Sequence, residues 1–106
     1  MTKFMFHGSY TAAGAAGVLT EGGSGRERAV KELAESVGGS LESIYWAMGK
    51  DDFYIVANMP DAHAAAALSL AVGASGSATV TTAQLFDAAA VDEIISQRAK
   101  YRAPGS

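Results

Sequence analysis

Two histidines and a few tyrosine, asparagine and aspartate side chains are the chain's stock of groups that could move a proton or hold a polar ligand. His7 lies in an alternating run, Lys3 to Tyr10, that reads as a strand. Imidazoles as a class titrate near neutrality, so His7 in a cleft could serve as a general base. The same side chain would equally suit a hydrogen-bonded, half-buried place at a subunit contact. Tyr54 and Asn58 lie four apart in a second strand-like run, which puts them on one face about 13 Å apart. With His7 they would make a polar lining for an otherwise apolar pocket, or else hydrogen-bond between subunits. Tyr10 ends the first strand and would either cover the mouth of a cleft or pack against the helix that follows. His7, Tyr54, Asn58 and Tyr10 are therefore the candidate ligand-binding residues, with His7 the candidate catalytic group.

Other groups point to blander roles. His63 falls in the first turn of an alanine-rich helix, and no second ligand at helical spacing supports a metal there. Asp51 and Asp52 invite a general-acid or calcium reading, but aspartates in a Gly-Lys-Asp-Asp turn are explained by turn chemistry. Gly22-Gly23-Ser24-Gly25 before a helix could cradle an anion. It lacks the Lys-Ser/Thr ending of a phosphate loop, so a kinked helix junction is the better reading. The chain has no cysteine, which removes disulfides, thiolate metal sites and cysteine nucleophiles. With two separated histidines besides, neither zinc nor haem is expected, and no cofactor is assigned.

The elements that must position these groups follow from periodicity. Phe4, Phe6 and Gly8 face one way in the first strand, with Lys3, Met5, His7 and Ser9 opposite. Thr11 is the N-cap of a short helix with Ala15, Val18 and Leu19 on its stripe, broken at Gly22-Gly23. Ser24 to Glu27 has the form of a capping box. Val30, Leu33, Ala34 and Val37 then make the clearest core stripe in the chain. Glu27–Lys31, Arg28–Glu32 and Lys31–Glu35 pairs mark the solvated side of this helix, and Gly38-Gly39 ends it. Strands over Leu41 to Met48 and Phe53 to Met59 form a hairpin across Gly49–Asp52. Pro60-Asp61 opens an alanine-rich helix to about Ala74, and a fourth strand runs from Ala78 to Phe86. Asp87 caps a last helix with Val91, Ile94 and Ile95 as its stripe.

One hundred and six residues make one domain, assigned to residues 1–99, with 100–106 as a tail whose Ala-Pro-Gly-Ser ending reads as frayed chain or an expression scar. The net charge of −3, with eight dispersed basic residues, provides no basic face for nucleic acid. The start lacks the basic-then-apolar layout of a signal peptide, and the most apolar stretch, Ala62 to Ala74, is too short to cross a bilayer. A soluble, cytoplasmic protein without membrane or nucleic-acid partners is the expectation.

Strand, broken helix, strand, strand, helix, strand, helix is the α+β, ferredoxin-like βαββαβ plan with one added helix. Right-handed crossovers give a four-stranded antiparallel sheet of order 4-1-3-2 with its helices on one face. The other face would carry Met5, His7, Tyr54, Val56 and Asn58, and Thr79 and Thr81 from the fourth strand. Either Ser43/Tyr45 or Ile44/Trp46 would join them, since both faces of the second strand are partly apolar. An apolar patch of that size needs cover, so a homodimer or higher homo-oligomer is expected.

The runs FHGSYT, TEGGSGRERAVKELAESVGGSLES and YWAMGKDDFYIVANMPD resemble the GYD-domain family, as do the alanine-rich helix ending VGASG and the Thr-rich strand after it. The resemblance extends from about Lys3 to Glu93. It implies a small bacterial ferredoxin-like domain of dimeric α/β-barrel type, in a family without a generally assigned activity. Of the Gly-x-Tyr-Asp turn behind the name, Gly49 and Asp52 match, while Asp51 stands in the tyrosine's place. His7 likewise stands where the pattern has glutamine. The resemblance thus implies a fold and an assembly but no reaction. The functional expectation is a small-molecule-binding or cofactor-free enzymatic domain with its pocket at the open sheet face. The alternative is an interaction module whose face a partner subunit fills.

Overall fold

The computed structural model describes residues 1–106. Its elements are β1 (Thr2–Tyr10), α1 (Ala12–Ser36), β2 (Ser40–Trp46), β3 (Phe53–Met59), α2 (Ala62–Ala74), β4 (Ala78–Gln84) and α3 (Ala88–Ser96). All three strand pairings are antiparallel and the order is β2-β3-β1-β4, the ferredoxin-like arrangement expected. β2 and β4 each end two residues earlier than the sequence suggests, because Met48 and Phe86 have no strand partner.

Side-chain parity sorts the sheet into two faces. Phe4 and Phe6 of β1, Phe53, Ile55, Ala57 and Met59 of β3 and Ala78 of β4 are buried under the helices. Val30 and Ala34 of α1 and Ala65 and Leu68 of α2 close over them. In β2 the ambiguity resolves toward Ile44 and Trp46 packing on the core, with Ser43 and Tyr45 on the open face. A bulge explains why alternation failed there. Leu41 pairs with Ala57 and Ser43 with Val56, so Glu42 is an extra residue and both Leu41 and Ile44 reach the core.

The break in α1 is real, and the span is two helical pieces joined across a kink at Gly22. Gly22 leaves the helical region at φ 78°, ψ 168°, a conformation only glycine adopts cheaply, and the helix resumes on either side. Thr11 caps the start, its Oγ1 accepting from the Gly14 amide at 3.2 Å. The expected Ser24 cap does not form, and Arg26 binds Glu21 instead at 3.0 Å. Ala15 and Leu19 stay exposed and Val18 is only half-buried, so the first half of the helix presses on the sheet through Gly14. The three charge pairs of the second half lie on the solvated side as expected but do not close to ion-pair distance. The entropy of holding two long exposed side chains offsets what such a pair gains. Asp61 and Asp87 cap α2 and α3, accepting from the Ala64 and Ala90 amides at 2.9 and 2.8 Å.

Gly8 is where the sheet is tightest. A Cβ there would lie 1.8 Å from the Thr79 carbonyl oxygen, so β1 and β4 could not keep their spacing. Gly8→Ala should lower unfolding stability by about 1–3 kcal/mol, the usual cost of forcing atoms into a packed site, read as a drop in the urea midpoint. A midpoint within error of the parent would mean that β4 yields freely.

Candidate functional site

The open face is a lattice of side chains set by strand register. Tyr45 of β2 faces Tyr54 of β3, Tyr54 faces His7 of β1, and His7 faces Thr81 of β4. One row further along the strands lie Ser43, Val56, Met5 and Ala83 in the same order. The first row is aromatic and polar, and the second is mostly apolar. His7 and Tyr54 stack, with ring centroids 5.8 Å apart and planes inclined by 11°.

His7 is held by a residue from outside the sheet. Its Nδ1 lies 2.8 Å from Asp51 Oδ2, and both side chains are about three-quarters buried. The neighbouring turn contacts show why Asp51 arrives there. The Asp52 amide donates to the Gly8 carbonyl at 2.7 Å, and the Asp52 carboxylate accepts from the Tyr10 amide at 2.9 Å. Ser9 Oγ donates to the Lys50 carbonyl at 2.7 Å. Three consecutive turn residues are thus pinned to the end of β1, and Asp51 falls opposite His7. A carboxylate only accepts, so Nδ1 of the neutral ring carries the proton and the lone pair sits on Nε2. This is the arrangement by which a carboxylate orients an imidazole as a proton acceptor.

The four candidate residues do not all converge. His7 and Tyr54 are stacked. Asn58 is on the same face but at its other end, opposite Lys3 and Ser40. There Lys3 forms an ion pair with Glu42, the bulged residue of β2. The hydrogen bond from Lys3, with a smaller one from Asn58, holds the Glu42 carboxyl below the ordinary glutamate value. Tyr10 shares the parity of Phe6 and Gly8 and turns to the helix side. Its ring tilts against Phe53 at 5.1 Å, and its hydroxyl accepts from Trp46 Nε1–H at 3.0 Å. There it lines a small apolar gap of about 50 Å³ with Phe6, Val30, Leu33 and Leu68. Of the two roles open to Tyr10, packing against the broken helix is the one its surroundings match.

Asp51 is the residue that turn chemistry alone undervalued. The signal was available in the strand order. With the second hairpin strand beside the first strand, the hairpin turn must abut the end of the first strand, where His7 to Tyr10 lie. No group of three or more His, Asp or Glu side chains converges as a metal site would require. His7 and Tyr54 line none of the five best-defined hollows, and Tyr54 is 37% exposed, so in the single chain this face is open. No helix is long and apolar enough to cross a membrane.

Among known families, the model described as GYD domain matches residues 4–95, nearly the whole chain. No curated protein and no solved structure matches.

Two measurements follow from this geometry. In the neutral protein, long-range proton–nitrogen spectra should show His7 protonated on Nδ1. Asp51→Ala should convert that single form into a mixture of tautomers while the fold persists; an unchanged Nδ1–H signal would show that Asp51 does not set the tautomer. The second concerns Glu42. Because its folded carboxyl is held low, the ion pair stabilises the protein above the ordinary glutamate value of about 4.3, and that contribution is lost as pH falls below it. Between pH 6 and pH 3 the thermal midpoint of the parent should therefore fall further than that of Lys3→Met.

Proposed function

The chain belongs to the GYD-domain family, and on the geometry of its open face we propose that it binds a small molecule there with His7 Nε2 as the proton-accepting group. The observation that carries this reading is the 2.8 Å contact between His7 Nδ1 and Asp51 Oδ2. An imidazole anchored at one nitrogen by a carboxylate presents a fixed lone pair at the other. Tyr54 stacked on the ring and Thr81 on its far side restrict how the imidazole can tilt. Met5 and Val56, in the next row, make an apolar floor beside it.

A ligand suited to this surface is flat, partly apolar and carries one acidic O–H, N–H or C–H to set against Nε2. Binding with proton transfer to His7 needs no cofactor: the ligand's X–H bond breaks, its electron pair stays on X, and the imidazole becomes the cation that Asp51 stabilises. Asn58 and Lys3, paired at the other end of the face, would meet the polar far end of a longer molecule. Tyr10 has no part in this site.

An open sheet face is a poor container, and a second copy laid against it would supply the missing wall. Tyr45, 70% exposed beside Tyr54, is the side chain such a partner would cover first. The same exposure favours the second reading, a module in which the partner fills the face and no ligand enters. The two part on one experiment. A fragment panel of phenols and β-diketones, followed by chemical shifts, should give saturable changes at the His7 ring and Tyr54. His7→Asn should abolish them at unchanged sedimentation mass. If no fragment perturbs His7, and His7→Asn instead weakens self-association, the module reading stands and the ligand site does not.

A further inference from the structure

The chain exposes more surface than a self-contained protein of its mass. A 10.8 kDa monomer shows about 5,500 Å² to solvent, whereas this chain shows 7078 Å². Its radius of gyration is 16.6 Å, against about 13 Å for a compact domain of this length. Its long axis extends to 56 Å, with the other two at 33 and 22 Å.

The C-terminal arm accounts for much of the difference. Leu85 still donates its amide to the Lys3 carbonyl, but no residue beyond it is buried. Phe86, Val91, Ile94 and Ile95 are exposed by 54, 44, 45 and 54%. Val91, Ile94 and Ile95 make one stripe of α3, at i, i+3 and i+4, while Asp92 and Glu93 lie to its other side. A helix of nine residues is below the roughly 12–15 at which even good isolated helices become marginal in water. Its apolar stripe needs a surface.

The same chain carries a surface of matching character that is also vacant. Along the outer flank of α2, above the β4 edge, runs a trough lined by Phe4, Ala65, Ala66, Leu70, Gly73 and Val80. Leu70 is 73% exposed there, and no charged side chain lines the trough. Its two hydroxyls, Ser69 and Thr82, bond to each other and so offer little to water. Alanine and glycine on α2 let a second helix approach to the 8–10 Å of normal helix packing. The arm does not reach this trough in its own chain. It sets out beside Lys3, Asn58 and Gln84 at the end of the sheet, and no residue beyond Thr82 lines the trough.

We propose that α3 of one copy seats in the α2–β4 trough of a second copy, and the second copy's α3 in the first, as a two-fold exchange. The areas favour this occupant. Seven residues at about 3.3 Å and four strands at about 4.8 Å give the sheet face a footprint of about 440 Å². Taking the face-to-face pairing proposed above as given, that footprint covers under a third of the surplus surface of about 1,500 Å² per chain. Each exchanged α3, about 13.5 Å long and about 10 Å wide, covers about 135 Å² of itself and as much of the trough it fills, which with the sheet face brings the covered footprint to about 700 Å² per chain, close to the roughly 800 Å² per partner of a standard stable interface. The exchange also uses neutral apolar surface on both sides, so no charge is buried.

The absence of cysteine makes the test clean. Full-length Ile94→Cys and Ala66→Cys chains, refolded together and mildly oxidised, should give a covalent dimer joining one of each. Pairing Ile94→Cys with Glu32→Cys, on the outer side of α1, should give none above background. Ending the chain at Asp87 should weaken self-association at least tenfold in sedimentation. The proposal is overturned if the mixture stays unlinked, or if a double Ile94→Cys, Ala66→Cys chain closes on itself as a monomer. Tyr45→Arg separates this from the sheet-face reading. If the Ile94–Ala66 link survives a substitution that breaks the sheet contact, the exchange stands alone; if Tyr45→Arg leaves self-association untouched, the sheet-face pairing fails instead.

Discussion

Four hydrogen bonds tie the turn at Lys50–Asp52 to His7, Gly8, Ser9 and Tyr10 of β1, and much of the molecule depends on them. They seal the end of the β1–β3 ladder, the central pairing of the sheet. A slip of one residue there would exchange every side chain between the faces, putting His7 into the core and Phe6 into solvent. The same turn carries the carboxylate that orients His7. Structure and candidate chemistry therefore share one anchor: the contacts that hold the register also place Asp51. Gly8 is the permissive residue in this arrangement. Its carbonyl accepts from the turn, and its missing side chain lets β4 close in from the other edge.

The open face has an internal logic of charge and polarity. At one end, tyrosines and an imidazole–carboxylate pair offer hydrogen-bonding groups whose orientation is already restricted. At the other, Lys3 and Glu42 neutralise each other, with Asn58 beside them. Between the two ends the floor is Met5 and Val56. An elongated ligand would meet polar, apolar and polar zones in turn, and so would a second sheet laid across it. Both occupants exploit the same feature, which is why composition alone does not choose between them. What favours the ligand reading is the form of the contact: Asp51 anchors Nδ1 of His7 at 2.8 Å and leaves the other ring nitrogen free, which a contact surface does not require.

Much of this was legible in the residues. The parity of Phe4, Phe6 and the hairpin strands assigned the two faces, the caps at Thr11 and Asp87 formed where their side chains predicted while the one at Ser24 did not, and right-handed crossovers led to the strand order. Three things escaped for physical reasons. The β2 bulge is a backbone event: Leu41 and Ile44 can both be apolar and both face inward only if the alternation breaks, and no residue type at Glu42 announces that. The first half of α1 has an apolar stripe by period, yet close approach through Gly14 against Ser77 decides its seating, which depends on tertiary fit. Asp51 looked like any turn aspartate because its partner is 44 positions away. Tyr10 is different. Its parity with Phe6 already placed it on the helix side, and only its position at a strand end suggested the cleft.

The sheet face and the arm express one shortage. Only thirteen residues are buried, and α1 and α2 cover one side of a four-stranded sheet with side chains as small as Ala34 and Ala65. Burial at about 25 cal/mol per Å² is the main favourable term in folding, and here a large share of the apolar surface that could supply it remains outside. Tyr45, Leu70, Phe86 and the α3 stripe are all more than 40% exposed. A sequence under pressure to be stable alone would replace such positions with polar residues at little cost, since exposed sites tolerate substitution. Their presence on two separate surfaces of this chain is explained if the cooperative unit is larger than the chain. In that case the stability of the fold and the enclosure of the His7 site are set by the same association constant, and a ligand that requires a closed face will bind in proportion to the fraction of chains that are paired.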